Sequence, residues 1–288
     1  MYVSDNIANS TNFKSWNAFN PISIYSNKYL KKTALASKKR FKPVTEALEG
    51  KINQVKIGKI SAWDIHPEKN KEYVLFLHGL GQNVNDYQSL YETILKNKKG
   101  VFAVEYRGYG QNEKVKISES KLKKDAQIAY EYLKEQKNIE PKNTIVMGHS
   151  MGTALAADLA SKNQDLKALI LIAPIKDLAN VTKKFIENKV VGLGVPAILS
   201  KLKDSIKLVK YLFTKCFNLY KTLPKLKMPL FIIQSQDDMV TPVDGARRIA
   251  KKARNVGILK SFIELPVGGH KVDSRKIDVV SKFLEREV

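Results

Sequence analysis

The chain has 288 residues, 43% of them hydrophobic and 27% charged, and a formal net charge of +22. That is enough apolar material for one substantial core, with or without a small accessory subdomain, and it excludes a low-hydrophobicity disordered chain. A stretch of about 18 or more apolar residues, needed for a membrane-spanning helix, is absent from the sequence. The start, Met1–Asn20, is interrupted by Ser, Asn, Asp and Thr and does not read as a secretory signal. Cys216 is the single cysteine, so no internal disulfide or cysteine zinc cluster is expected, and a reducing cytoplasm is the expected compartment. A charge this positive points to an anionic partner. The excess is lysine rather than arginine, the residue suited to bidentate phosphate recognition, so an anionic membrane surface is expected and nucleic acid is not.

Residues 1–50 carry Lys28, Lys31, Lys32, Lys38, Lys39, Arg40 and Lys42 with few acids, and are expected to form a basic, partly ordered extension. From Lys51 the pattern changes. Ile52–His66 alternates as a hairpin. Tyr73–Leu77 reads as a buried strand, followed by a Gly-rich loop and a helix near Tyr87–Lys96. Val101–Tyr106 is the next strand, and Ser118–Gln136 has helical periodicity, with Leu122, Ala126, Ala129, Tyr130 and Leu133 on one face. Thr144–Gly148 and Ala168–Ala173 are strands around a helix at Thr153–Ser161. Leu230–Gln234, Pro242–Ala253, Lys260–Leu265 and Val272–Arg286 continue the alternation. This pattern predicts an α/β fold with a mostly parallel central sheet covered by helices on both faces. One segment breaks the rhythm: about 175–228, after the sixth strand, is too long for a simple connection. Within it Ile198, Leu202, Ile206, Val209, Phe213 and Phe217 recur at helical spacing with lysines mainly off the stripe, which predicts a small basic helical cap on a domain covering 51–288.

Gly148-His149-Ser150-Met151-Gly152 lies between a predicted strand and an Ala-rich helix, the context that a G-x-S-x-G nucleophile turn requires. Gly148 and Gly152 suit a turn too tight for Cβ atoms beside the serine. A serine hydroxyl needs a neighbouring base. Of four histidines, His149 sits inside the turn, His66 precedes the central strands and His78 belongs to the first Gly-rich loop. His270, in the Gly-rich loop after the last strand, is the candidate base. An acid must orient it. Ser235-Gln236-Asp237-Asp238-Met239-Val240 follows a strand and offers two carboxylates; the D-x-x-V spacing favours Asp237, with Asp238 as second candidate. Backbone donors for an oxyanion are expected from the N–H groups of Leu80, in His78-Gly79-Leu80-Gly81, and of Met151, with His78 and Gly79 shaping that loop. The dinucleotide and Walker fingerprints are absent, and this chemistry calls for no metal or cofactor.

From about Ile52 onward the chain resembles the α/β-hydrolase superfamily, in particular its Bem46-like and serine aminopeptidase/monoacylglycerol-lipase-like branches. The matching pieces are Phe76-Leu77-His78-Gly79, Glu105-Tyr106-Arg107-Gly108-Tyr109-Gly110, Gly148-His149-Ser150-Met151-Gly152, Asp237-Asp238-Met239-Val240 and Gly269-His270. The basic extension, the long cap and Gln111 in place of a frequent serine depart from the pattern. The resemblance implies a serine hydrolase acting on carboxylic esters or thioesters. A cap with an apolar stripe would suit an acyl-lipid substrate, and its lysines, with those of the N-terminal extension, an anionic membrane. Small-ester or peptide hydrolysis on the same residues is the alternative, and a non-catalytic binding role is the alternative of another class.

Overall fold

The computed structural model describes residues 42–66, 71–176 and 217–286, together with Lys31 and Ala34. Eight strands form one sheet: β1 (Ile52–Ile57), β2 (Ile60–Ile65), β3 (Tyr73–Leu77), β4 (Gly100–Glu105), β5 (Thr144–His149), β6 (Ala168–Ile172), β7 (Leu230–Ser235) and β8 (Leu259–Leu265). Their order is β1-β2-β4-β3-β5-β6-β7-β8. The β1–β2 hairpin and the β2–β4 pair are antiparallel, and every other pair is parallel. Among the described residues from Lys42 onward the α-helices are α1 (Gln88–Lys96), α2 (Glu119–Gln136), α3 (Met151–Lys162), the short α4 (Leu219–Thr222), α5 (Val243–Val256) and α6 (Ser274–Arg286).

β3 to β7 are buried at every residue, as a parallel sheet covered on both faces requires. Alternate strand residues feed two cores. Leu75, Leu77, Val146, Leu169 and Ile232 meet α2, α3 and α5 on one side. Val74, Phe76, Met147, Ile170 and Phe231 meet α1 and α6 on the other. α3 is rich in alanine because it lies against the sheet centre. A Cβ on Gly152 would strike the Leu77 carbonyl oxygen and come within 2.8 Å of the His78 carbonyl oxygen, so the helix backbone runs directly over the end of β3.

The predicted strands and helices that fall on the described residues appear, with shifted ends. α3 begins at Met151 rather than Thr153, because the chain turns in one residue, Ser150, and is helical immediately afterwards. α5 runs on to Val256 and stops where Gly257 adopts a left-handed conformation, φ 83°. α6 begins at Ser274 rather than Val272. The predicted cap helix falls almost wholly on 177–216, outside the described residues, as does most of the basic N-terminal extension. The flanks of the cap interval return to the core: Ile175, Phe217, Leu219, Leu223, Leu226 and Met228 are all buried.

The end of the N-terminal extension is fastened to the domain. Asn85 Oδ1 accepts from Lys42 N at 2.7 Å and its Nδ2 donates to Lys42 O at 2.8 Å. Gln88 repeats the pattern with Thr45 N (2.7 Å) and Pro43 O (3.0 Å), so two side-chain amides act as a short strand for the arriving backbone. Among the described residues no helix is long and apolar enough to cross a membrane.

Because the α3–β3 contact leaves no room for a side chain, Gly152→Ala should cost about 1–3 kcal/mol of stability, the usual range for overpacking a tight core. Urea unfolding of the two proteins measures the difference; equal midpoints would contradict this packing.

Candidate active site

Ser150 lies between the last residue of β5 and the first of α3, with φ 53° and ψ −119°. An L residue rarely adopts a positive φ, and holding one there costs on the order of 1–3 kcal/mol that surrounding contacts must offset. Those contacts are present. Ser150 N donates to the Ile172 carbonyl at 3.0 Å, and its own carbonyl accepts from Thr153 N at 3.0 Å and from the Thr153 hydroxyl. Gly148 is required beside it, since a Cβ there would run into the Gly152 carbonyl. The turn lifts the hydroxyl to the carboxyl edge of the sheet, at the start of a helix.

His270 meets it there. Its Nε2 is 2.9 Å from Ser150 Oγ, and its Nδ1 is 2.9 Å from Asp238 Oδ2. A carboxylate can only accept, so Nδ1 carries the proton and the Nε2 lone pair faces the serine hydroxyl. The carboxylate that His270 meets is therefore Asp238, not Asp237 as the D-x-x-V spacing favours. Asp237 is exposed and accepts from the backbone N–H groups of Gly268 (3.2 Å) and Gly269 (2.8 Å). Asp238 is buried and fully engaged. Besides His270, its oxygens accept from Val240 N and Thr241 N at 2.8 Å each, the Thr241 hydroxyl at 2.7 Å and Gln234 Nε2 at 3.2 Å. The spacing does not select the acid here: Val240 is 40% exposed and meets Asp238 through its backbone N–H. The informative signal was Thr241 three residues after Asp238 and just before Pro242, where an Asp side chain caps its own following turn.

The loop after β3 passes against Ser150: a Cβ on Gly79 would lie 3.2 Å from Ser150 Cβ. His78 is buried with Nε2 3.1 Å from Glu105 Oε1 and Nδ1 2.9 Å from the Gly79 carbonyl. Glu105 Oε2 accepts from Val84 N, and the Tyr106 hydroxyl donates to the His78 carbonyl, so both ends of the loop are tied down. Leu80 is half-buried in this loop. Met151 is the first residue of α3, where an N–H has no intrahelical partner and the helix dipole favours negative charge.

The chain matches the serine aminopeptidase S33 family over residues 68–210. It is 30% identical over 221 residues to the alpha/beta hydrolase domain-containing protein WAV2 of Arabidopsis thaliana, a match taking in 74% of this chain and 68% of that one. The chain belongs to the α/β-hydrolase superfamily. Protein ABHD12B of Homo sapiens is 27% identical over 202 residues, a match taking in 67% of this chain and 53% of that one. The fold is shared with the Pyrococcus furiosus esterase Pf2001 (TM-score 0.67, 20% identity, 86% of this chain and 95% of that). It is shared too with an alpha-beta hydrolase from Vibrio vulnificus (TM-score 0.71, 21% identity, 90% and 92%).

In this hydrolase domain His149 has a part that sequence position did not suggest. It makes no bond to Ser150 Oγ, yet its buried ring reaches across to the base: Nε2 is 2.8 Å from the His270 carbonyl oxygen. That carbonyl must accept, so Nε2 carries the proton; Nδ1 lies 2.7 Å from the Tyr87 oxygen and 3.1 Å from Gln82 Oε1, to which the Tyr87 hydroxyl donates. The Tyr87 oxygen in turn accepts from Gly79 N at 3.1 Å. Burial, and then the charge of His270, lower the His149 pKa to about 3, so the ring is neutral at neutral pH. No spacing rule flags such a residue, because its partner is a main-chain atom distant in sequence.

For Asp238, burial alone would raise the pKa. The hydrogen bond and charge of His270, with the bonds from Thr241, outweigh burial and bring it down to about 2. A carboxylate depressed below its unfolded value of about 3.9 contributes stability above that pH and loses it as pH falls through the folded value. The contribution, on the order of 2 kcal/mol, should therefore be intact above about pH 5 and disappear between about pH 4 and 2. Urea melts of wild type and Asp238→Asn across this range should converge on acidification; a constant difference would contradict the assignment.

Proposed function

We propose that this chain is a serine hydrolase that cleaves carboxylic esters or thioesters through an acyl-enzyme on Ser150. The observation that carries this reading is His270 set 2.9 Å from both Ser150 Oγ and Asp238 Oδ2. Ser150 Oγ attacks the acyl carbon while His270 Nε2 takes its proton, and Asp238 stabilises the imidazolium that forms. The tetrahedral oxyanion accepts from the N–H groups of Leu80 and Met151. Collapse expels the alcohol or thiol, which leaves with the proton from His270. Water then attacks the acyl-enzyme with His270 again as base, releasing the carboxylic acid and restoring the serine.

The acyl group in this reading is hydrophobic. Met239 and Val240, beside Asp238, and Val267, near His270, are 64%, 40% and 50% exposed. They put apolar surface on the two loops that carry the base and its acid, where an acyl chain would shed water. The net charge of +22, with few acids to offset the lysines of 1–50 and 175–228, supports peripheral contact with an anionic membrane. Cosedimentation with phosphatidylserine vesicles at low salt, lost as salt is raised, is the expected result; no binding at low salt would remove that part of the reading.

Kinetics on p-nitrophenyl esters and acyl-thioesters from two to sixteen carbons, roughly the span from acetyl to palmitoyl, test the chemistry and the substrate together. Ser150→Ala should abolish turnover, and Asp238→Asn should lower kcat by about 10³–10⁴, the cost of holding the base in the wrong tautomer. Asp237→Asn should lose no more than about tenfold, as a change outside the proton path. Greater damage from Asp237→Asn than from Asp238→Asn would overturn the assignment of the acid. A rate that peaks on acetyl esters and falls with chain length would overturn the hydrophobic acyl group.

A further inference from the structure

The loop that carries His270 contains two glycines in the left-handed half of backbone space, Gly268 (φ 146°) and Gly269 (φ 55°). Left alone, such a loop would sample many conformations and dilute the one in which the imidazole faces Ser150. It is not left alone. Lys276, on the first turn of α6, is fully buried. Its Nζ lies 2.9 Å from each of three carbonyl oxygens, those of Gly268, Gly269 and Lys271. An ammonium has three N–H bonds, and each has one of these acceptors. The fourth carbonyl in the run, that of His270, is taken by His149 Nε2. On the exposed side of the same loop Asp237 accepts from the N–H groups of Gly268 and Gly269. The glycine peptides are thus gripped from both directions, amides by a carboxylate and carbonyls by an ammonium.

Burying an ammonium is costly, and Asp273 Oδ1 lies 3.7 Å away rather than in hydrogen-bond contact. An apolar side chain of similar length would fill the space without that cost. The placement of all three donors on main-chain oxygens of a single loop is what the charge achieves.

We infer that Lys276 and Asp237 are positioning residues that act as a two-jawed clamp on residues 268–271, fixing the His270 ring at its working distance from Ser150. The inference rests on the proposed Ser150–His270–Asp238 chemistry. Neither residue touches the reacting atoms, so the clamp acts on how often the base is in place, and its loss falls on kcat rather than on substrate binding.

The test is steady-state kinetics of Lys276→Met and Asp237→Asn on the best p-nitrophenyl ester, with proton NMR of the His270 Nδ1–H that is bonded to Asp238. Lys276→Met should lower kcat by about 30-fold, the scale expected for a loosened catalytic group, with KM changed less than about threefold. Asp237→Asn should lower kcat by about fivefold on the same basis, consistent with its place on the exposed side. In both variants the low-field Nδ1–H signal of the wild type should broaden or move upfield, while far-UV circular dichroism and a cooperative melt remain. Wild-type kcat in a folded variant, or a loss confined to KM, would overturn the clamp. If Lys276→Met fails to fold, Asp237→Asn, whose side chain is on the surface, decides the matter alone. Wild-type turnover abolished by Ser150→Ala keeps the outcome separate from the parent reading; its absence would bring down that reading instead.

Discussion

Everything in the site follows from forcing one non-glycine residue into a left-handed conformation between a strand and a helix. Ser150 takes φ 53° because β5 must stop and α3 must start with nothing in between. That turn is possible only where the backbone on either side can be crowded. Gly148 lies against the Gly152 carbonyl, and Gly152 lies against the end of β3. The closeness of α3 to β3 in turn brings the loop after β3 beside the serine, so the position of that loop and the Ser150 turn share one local cause. The strain is offset by the bond from Ser150 N to β6 and by Thr153, which links the serine carbonyl to Ile175 N.

The second organising element is a division of labour between adjacent carboxylates. Asp238 is buried, accepts from four neighbouring groups besides the imidazole, and so stays ionised in a place where burial opposes charge. Asp237, one residue earlier, points the other way and is held low first by its bond from Gly269 N. Both lie in the turn that follows β7, and of the two only Asp238 faces His270. The same economy appears in the histidines. His270 faces the serine, His149 holds the His270 main chain, and His78 pins the loop after β3.

Much of this was legible in the sequence. Fully apolar runs such as Tyr73–Leu77 and Ala168–Ile172 had to be buried on both faces, which dictates a parallel sheet with helices on each side. The serine turn and the histidine loop announced themselves through glycines, at crowded positions (Gly148, Gly152) and at positive φ (Gly268, Gly269). What failed was the choice between Asp237 and Asp238. Spacing to Val240 carries information only if that side chain is buried, and the hydrogen bonds that select Asp238 come from the backbone of Val240 and Thr241. The roles of His149 and Lys276 were invisible for a related reason: their partners are main-chain carbonyls brought close only by the fold. Helix ends were misplaced by one to three residues where a turn rather than a side-chain pattern sets the boundary, as at Met151 and Val256.

The central claim is that Ser150 Oγ, relieved of its proton by His270, is the nucleophile of this chain. Intact-mass analysis after treatment with a fluorophosphonate, followed by peptide mapping, addresses it directly. A single adduct on Ser150, absent in Ser150→Ala and formed much more slowly in Asp238→Asn, is the predicted result. No adduct under conditions where the protein is folded, or an adduct on a different residue, would contradict it.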